Sequence, residues 1–350
     1  MKASYKKHKL IFKRPSGTSR GILTTKETWF LILQDTKKKG IGECGLLKGL
    51  SIDDVSDYQE KLDWVCTNIH LGLNQLLEQL THFPSIQFGL EQAFLSLNAS
   101  TTFELFPSDF TKEESPININ GLIWMGDRDF MLEQIEEKLK AGFSCIKMKI
   151  GAINFETEIA LLKAIRSRFN KNEIELRVDA NGAFKPEEAL KKLERLADLD
   201  IHSIEQPIKP NNWEAMADLC AKTPLPIALD EELIRIISYR QKEELLQTIK
   251  PQYLILKPSL IGGFKNSEEW IRIANEQNIE WWITSALESN IGLNAIAQWT
   301  YTLKNVLPQG LGTGSLFTNN FESPLQVENG NLYYRNDLSW QTDLIKDLCT

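Results

Sequence analysis

The alternation of apolar and polar positions changes its rhythm once along this chain, near residue 112. Residues 1–50 read as strands: TWFLILQ (28–34) is an apolar run, and Lys37 to Gly40 reads as a hairpin turn leading into IGECG. Residues 52–80 and 84–99 carry apolar side chains at helical spacing, as in FGLEQAFLSL. The stretch FPSDFTKEESP, from Phe106 to Pro116, reads as a linker. From Ile117 short apolar pieces alternate with helical ones. The strand candidates are ININGLIW, SCIKMKI, IELRV, HSIE, PIALD, QYLILK, EWWIT and LPQGL, and helices such as FETEIALLKAIRSRF and EEALKKLERLADL lie between most of them. Pro186 followed by Glu187 and Glu188 marks one helix start, since the ring fixes φ and the acids favour the positive helix end. A repeat of roughly 25 residues alternating β and α predicts a (β/α)8-type barrel. The expected organisation is α/β: an α+β capping domain over 1–112, a barrel over 113–320, and a segment 321–350 that packs back on the cap.

Length and charge narrow the function classes. With 350 residues and 42% hydrophobic content, the chain can bury one large core plus a cap. A net charge of −7 argues against a nucleic-acid partner, which needs a basic face. The N-terminus is basic but lacks a continuous apolar core, so no signal peptide is expected. No run approaches the ~18 apolar residues of a membrane span. The five scattered cysteines fit reduced thiols of a cytoplasmic protein. No obligate protein partner is evident, so the expected partner is a small molecule.

The acids and lysines change the picture most. Asp179 in LRVDANG, Glu205 in SIEQP and Asp230 in IALDEEL each close a short apolar run. Lys147 and Lys149 lie upstream, and Lys257 closes YLILK downstream. Functional groups of such barrels gather at the carboxyl ends of the strands. Two residues apart on one strand, Lys147 and Lys149 face the same way, here into the barrel. Mutual repulsion and burial would lower a lysine pKa towards neutrality, making one amine a usable base. Each acid alone could be a helix cap or a turn residue. Together, three oxygen donors from separate strands suit Mg²⁺. Opposed lysines around a divalent metal match proton abstraction next to a carboxylate.

KMKIG, LRVDANGAF, SIEQP, IALDEEL, LKPSLIGG and TSALESNIGL, in this order and spacing, resemble the enolase superfamily in its muconate-lactonizing subgroup. GIGECGLLKGLS and PSIQFGLEQAF resemble its N-terminal domain, so the likeness covers most of the chain. The resemblance implies an enolase-like barrel with an N-terminal cap, and Asp179, Glu205 and Asp230 as ligands of Mg²⁺, for which Mn²⁺ can substitute. It implies a dehydratase of menaquinone biosynthesis acting on a small carboxylate. Lys149 would take the proton α to the carboxylate and return it to the departing hydroxyl. Lys257 would stabilise the intermediate as a cation, and Lys147 would contact the carboxylate and tune Lys149. Arg177 and Asn181 would order the substrate side of the metal site. Backbone N–H groups from Ser285 to Ser289 and at Gly312 would hold the substrate tail, and the cap loop around Thr18 and Arg20 would close over it. None of the four histidines (His8, His70, His82, His202) lies near Lys257, which disfavours branches with a histidine base. Gly310-Leu311-Gly312-Thr313-Gly314 lacks the carboxylates with which dipeptide epimerases hold a substrate ammonium. Muconate cycloisomerases and N-acylamino acid racemases share the metal and lysine set and remain open. Gln206, where a second Glu is common in the family, and Gly182 and Phe184 depart from the pattern beside the expected ligands.

Overall fold

The computed structural model describes residues 1–18, 21–341, 343–344 and 348. Strand β1 (Lys2–Thr18) pairs antiparallel with β2 (Gly21–Gln34), and β2 with β3 (Lys39–Cys44). The β1–β2 register slips between Ile11 and Ser16, around Pro15, which has no N–H to give the ladder. Asp35 closes the β2–β3 turn by accepting from the N–H groups of Lys37 and Lys38 at 2.7 and 2.6 Å. Helices α1 (Tyr58–Thr67), α2 (Leu73–Gln79) and α3 (Pro84–Asn98) pack on this sheet. Leu31, Leu33, Tyr58, Leu62 and Leu90 share the resulting core. Approach of α3 to β3 depends on glycine. A Cβ at Gly42 would sit 2.0 Å from the Gly89 carbonyl oxygen.

The stretch expected as a linker holds one helical turn, α4 (Asp109–Lys112), where Ser108 donates its N–H to Thr111 Oγ1. The next expected strand is split, giving β4 (Ile117–Asn118) and β5 (Gly121–Ile123). From β5 the chain winds a parallel sheet through β6 (Cys145–Lys149), β7 (Glu175–Asp179), β8 (Ser203–Glu205), β9 (Ile227–Leu229), β10 (Tyr253–Leu256) and β11 (Glu280–Ile283), neighbours in chain order. The crossovers carry α5 (Arg128–Lys140), α6 (Phe155–Arg166), α7 (Pro186–Ala197), α8 (Trp213–Lys222), α9 (Tyr239–Ile249), α10 (Pro258–Ile261) and α11 (Gly263–Glu276), and α12 (Asn290–Thr302) follows β11. Apolar positions of these helices and the outward residues of the strands, among them Ile146, Met148, Leu176 and Val178, make one large core. Beyond the barrel, β12 (Leu325–Glu328) and β13 (Asn331–Tyr334) form a hairpin that pairs with β4.

The last strand candidate, LPQGL, does not form a strand. Closure rests on Gly310, which donates to Ile283 O and accepts from Ser285 N, and on Gln309, whose backbone bonds Asn118 and Asn120. Pro308 has no N–H for a ladder. A Cβ at Gly310 would lie 2.5 Å from Thr284 Oγ1, so this edge has no room for a regular side chain. The wall between β5 and residues 310–312 is therefore thin. Phe321, Leu344 and Leu348 pack with Phe30, Ile32 and Ile41 of the cap sheet, tying the end of the chain to its beginning.

Candidate active site

Strand register assembles the centre. Lys149 pairs with Asp179, and Asp179 with Glu205, so these three groups end neighbouring strands at one level. Asp230 follows β9 directly and Lys257 follows β10. Lys147, on the inner face of β6, donates to Glu205 at 2.6 Å and lies 3.3 Å from Asp179. Lys149 donates to Asp179 at 2.8 Å and to Asn181 Oδ1 at 2.7 Å. Across the mouth, Lys257 donates to Asp230 and stands 3.5 Å from Glu205. Asn181 holds φ of 43° and Gln206 φ of 40°, the left-handed backbone that non-glycine residues rarely adopt. Such conformations cluster at sites where a turn must aim a side chain.

The electrostatics follow from burial. Asp179, Glu205 and Asp230 are almost wholly removed from water. Burial opposes ionisation of Asp179, but Lys149, Lys147 and Lys257 outweigh it and hold the carboxyl below its usual range. Glu205 goes the other way: burial first, then the neighbouring Asp179, push it up to about 7. Burial also raises Asp230, with Lys257 pulling against it. The expectation that crowding lowers the lysines fails for Lys147. Burial does press it down, but Glu205 and Asp179 together raise it. Lys257 is raised for the same reason, by Asp230 and Glu205 against burial.

Among the described residues no three acidic, histidine or cysteine side chains are already turned together as a metal cage. The carboxylates instead point at the lysine amines between them. The donor set nonetheless fits a hard divalent cation: three buried carboxylates on adjacent strand ends, linked through shared lysines. Glu205 Oε1 is buried without a hydrogen-bond partner, with the Lys257 amine 3.5 Å away.

A cavity opens from these lysines. Lys147, Lys149, Lys257, Asp179 and Asn181 form one wall, and Leu23, Leu47 and Leu50 of the cap form the roof. Of the residues expected to touch substrate, Asn181, Ser285 and Gly312 line it. Arg177 does not. It lies two residues below Asp179, donates to Glu175 at 2.6 Å and to Pro308 O at 2.9 Å, and stacks 4.0 Å from the Trp282 ring. Two residues up or down a strand keep the same face but shift a side chain by about 7 Å, here from mouth to floor. Ser289 is also withdrawn: it caps α12 and gives its N–H and hydroxyl to buried Glu43 of the cap. Thr18 ends β1, paired with Gly21, and Arg20 lies outside the described residues.

Other lining groups had no sequence signal. Trp124 also lines the cavity, with Lys149 Nζ 6.0 Å from its ring centre. Thr313 donates to Ser285 Oγ at 2.9 Å, and Ser285 in turn donates to buried Glu288 at 2.6 Å. Ser259 closes the set on the other oxygen of Glu288 at 2.5 Å. Residues this far apart in sequence meet only through the fold.

Residues 131–337 match the family model for enolase C-terminal domain-like proteins. The chain belongs to the enolase superfamily. It is 48% identical to an o-succinylbenzoate synthase of Desulfotalea psychrophila, over 94% of this chain and 98% of that one. The crystal structure of MenC from that organism superposes with a TM-score of 0.85 at 44% identity, covering 95% of this chain and 99% of the other. The L-Ala-D/L-Glu epimerase of Bacillus subtilis is more distant: 29% identical over 50% of this chain and 48% of its own. Among the described residues no helix is long and apolar enough to cross a membrane.

Proposed function

We propose that this enzyme is an o-succinylbenzoate synthase. It dehydrates 2-succinyl-6-hydroxy-2,4-cyclohexadiene-1-carboxylate to 2-succinylbenzoate, a cytoplasmic step of menaquinone biosynthesis. The likeness to the Desulfotalea psychrophila enzyme along nearly its whole length carries this reading. Opposed lysines around three strand-end carboxylates supply the chemistry it needs.

Asp179, Glu205 and Asp230 are the groups that would hold Mg²⁺, or Mn²⁺ in its place. The cation supplies positive charge where negative charge develops on the substrate carboxylate. Lys149, backed by Asn181 and by the Trp124 ring, takes the α-proton and returns it to the hydroxyl that leaves as water. Lys257, on the opposite side beside Asp230, faces the anionic intermediate as a cation. Lys147 lies deeper, bound to Glu205 and beside Asp179, and keeps that pair of acids oriented. The roof of Leu23, Leu47 and Leu50 excludes water from the proton transfer. The ring becomes aromatic, so deprotonation and loss of water are all that the protein must promote.

Replacing the base tests the assignment. Lys149→Ala should lower turnover by at least about 10³-fold, within the range a positioned acid–base group contributes, while circular dichroism stays that of the parent. Retained turnover would assign the proton transfer to another group.

A further inference from the structure

The substrate of the proposed reaction carries two carboxylates, and the lysines at the metal centre account for one of them. We infer that Lys138, outside the catalytic strands, binds the second carboxylate through a side opening in the barrel wall. The inference rests on the synthase reading and names a specificity-determining residue for it.

The opening follows from the thin wall between β5 and residues 310–312. On the β5 side the pairing is reduced to the isolated bridge Ile119–Gln309, against five paired positions between β6 and β7. Gly121, Gly310 and Gly312 line this side of the cavity and put no side chain across it. The cavity that begins at Lys149 and Lys257 runs past them and reaches Lys138 and Phe143. Glycine at 121 is what admits the lysine. A Cβ there would lie 3.1 Å from Lys138 Cδ and 3.1 Å from Phe143 Cγ.

Lys138 is suited to receive an anion. It sits on α5 with its stem over Gly121 and its Nζ 5.2 Å from the Phe143 ring centre. Among the described residues no carboxylate lies within ion-pair distance of it: its neighbour Glu137 pairs with Arg14, and Glu136 with Arg168. Burial presses the Lys138 amine below its ordinary pKa, so an arriving carboxylate would be favoured as its partner. The rest of the opening is neutral, formed by Asn120, Leu122 and Thr284. A dicarboxylate whose ring acid faces Lys149 and Lys257 can therefore place its tail acid only against Lys138 to meet a charge on this side.

The test compares two ligands in the metal-loaded enzyme: 2-succinylbenzoate and 2-butanoylbenzoate, which lacks the tail carboxylate. The parent should bind the dicarboxylate about tenfold more tightly, the value of one charge-assisted contact. Lys138→Met keeps the stem and removes the charge. It should abolish that preference and raise KM for the cyclohexadiene substrate about tenfold with kcat changed less than about twofold, and Lys138→Arg should restore much of both. A preference that persists in Lys138→Met and in Lys138→Gln, with parent-like melting, overturns the inference while leaving the synthase reading intact. A parent enzyme that neither turns over the substrate nor binds 2-succinylbenzoate overturns both.

Discussion

At the scale of single residues, this site is a contest between desolvation and charge, and the outcome differs from group to group. Asp179 stays ionised because three ammonium groups surround it, whereas Glu205 is pushed up to about 7 because burial and Asp179 act together. Glu91 shows the same physics far from the chemistry. On α3 it accepts the N–H groups of Phe264 and Lys265 at the start of α11, yet burial raises it to about 7. A carboxyl whose folded pKa lies above its ordinary value binds its proton more tightly when folded. Its contribution to stability is therefore fully present below about pH 4.5, the unfolded value, and is lost as pH rises to about 7. Unfolding curves should show the parent losing stability relative to Glu91→Gln across that window and no further change above it. A constant difference between pH 5 and 8 would mean that Glu91 is ionised throughout.

The acids and Lys149 were legible residue by residue because each polar group interrupts an apolar strand at its carboxyl end. Arg177 and Ser289 were not. Alternation assigns Arg177 to the inner face but says nothing of depth along the barrel axis, and depth decides between substrate and floor. Ser289 follows the expected loop, but its partner Glu43 is 246 residues away in sequence and no local pattern announces it. Lys138 reads as an ordinary lysine on a helix. Its stem lies over Gly121, where a Cβ would stand 3.1 Å from Lys138 Cδ, a closeness no local pattern announces.

Among the elements, those with a strong period were clear and those closed by single contacts were not. β6, β7 and β10 stand where their apolar runs stand. LPQGL has the composition of a strand end but carries a proline that cannot donate and a glycine held against Thr284. It closes the barrel by bridges alone. The cap sheet makes a sharper demand on glycine. Gly42→Ala would drive a methyl into the Gly89 carbonyl, 2.0 Å away, between β3 and α3. It should cost about 1–3 kcal/mol, the range for overpacked cores, measurable by denaturant unfolding. A neutral Gly42→Ala would show that α3 can move away from β3 freely.

On the scale of the whole molecule, cap and barrel are held together by polar groups as well as by the shared apolar roof. Glu43, fully buried on β3, accepts from Ser289 N and Oγ and from Gly292 N at the start of α12, and from Thr28 within the cap. A carboxylate at a helix N-terminus is favoured by the unpaired N–H groups and the dipole there. Glu43→Ala should destabilise the protein by about 2–4 kcal/mol, as orphaned buried donors demand, and should raise KM because Leu47 and Leu50 are carried by the segment that follows β3. A loss of stability with unchanged KM would separate the cap's hold on the barrel from its role as roof.

The most direct measurement for the whole account is turnover of 2-succinyl-6-hydroxy-2,4-cyclohexadiene-1-carboxylate with Mg²⁺ present and after chelation. The account predicts the aromatic product with the metal, its loss on chelation, and its return when Mg²⁺ or Mn²⁺ is added back. A folded, metal-loaded enzyme that forms no aromatic product, but exchanges the α-proton of an N-acylated amino acid with solvent, would contradict it and make this site a racemase.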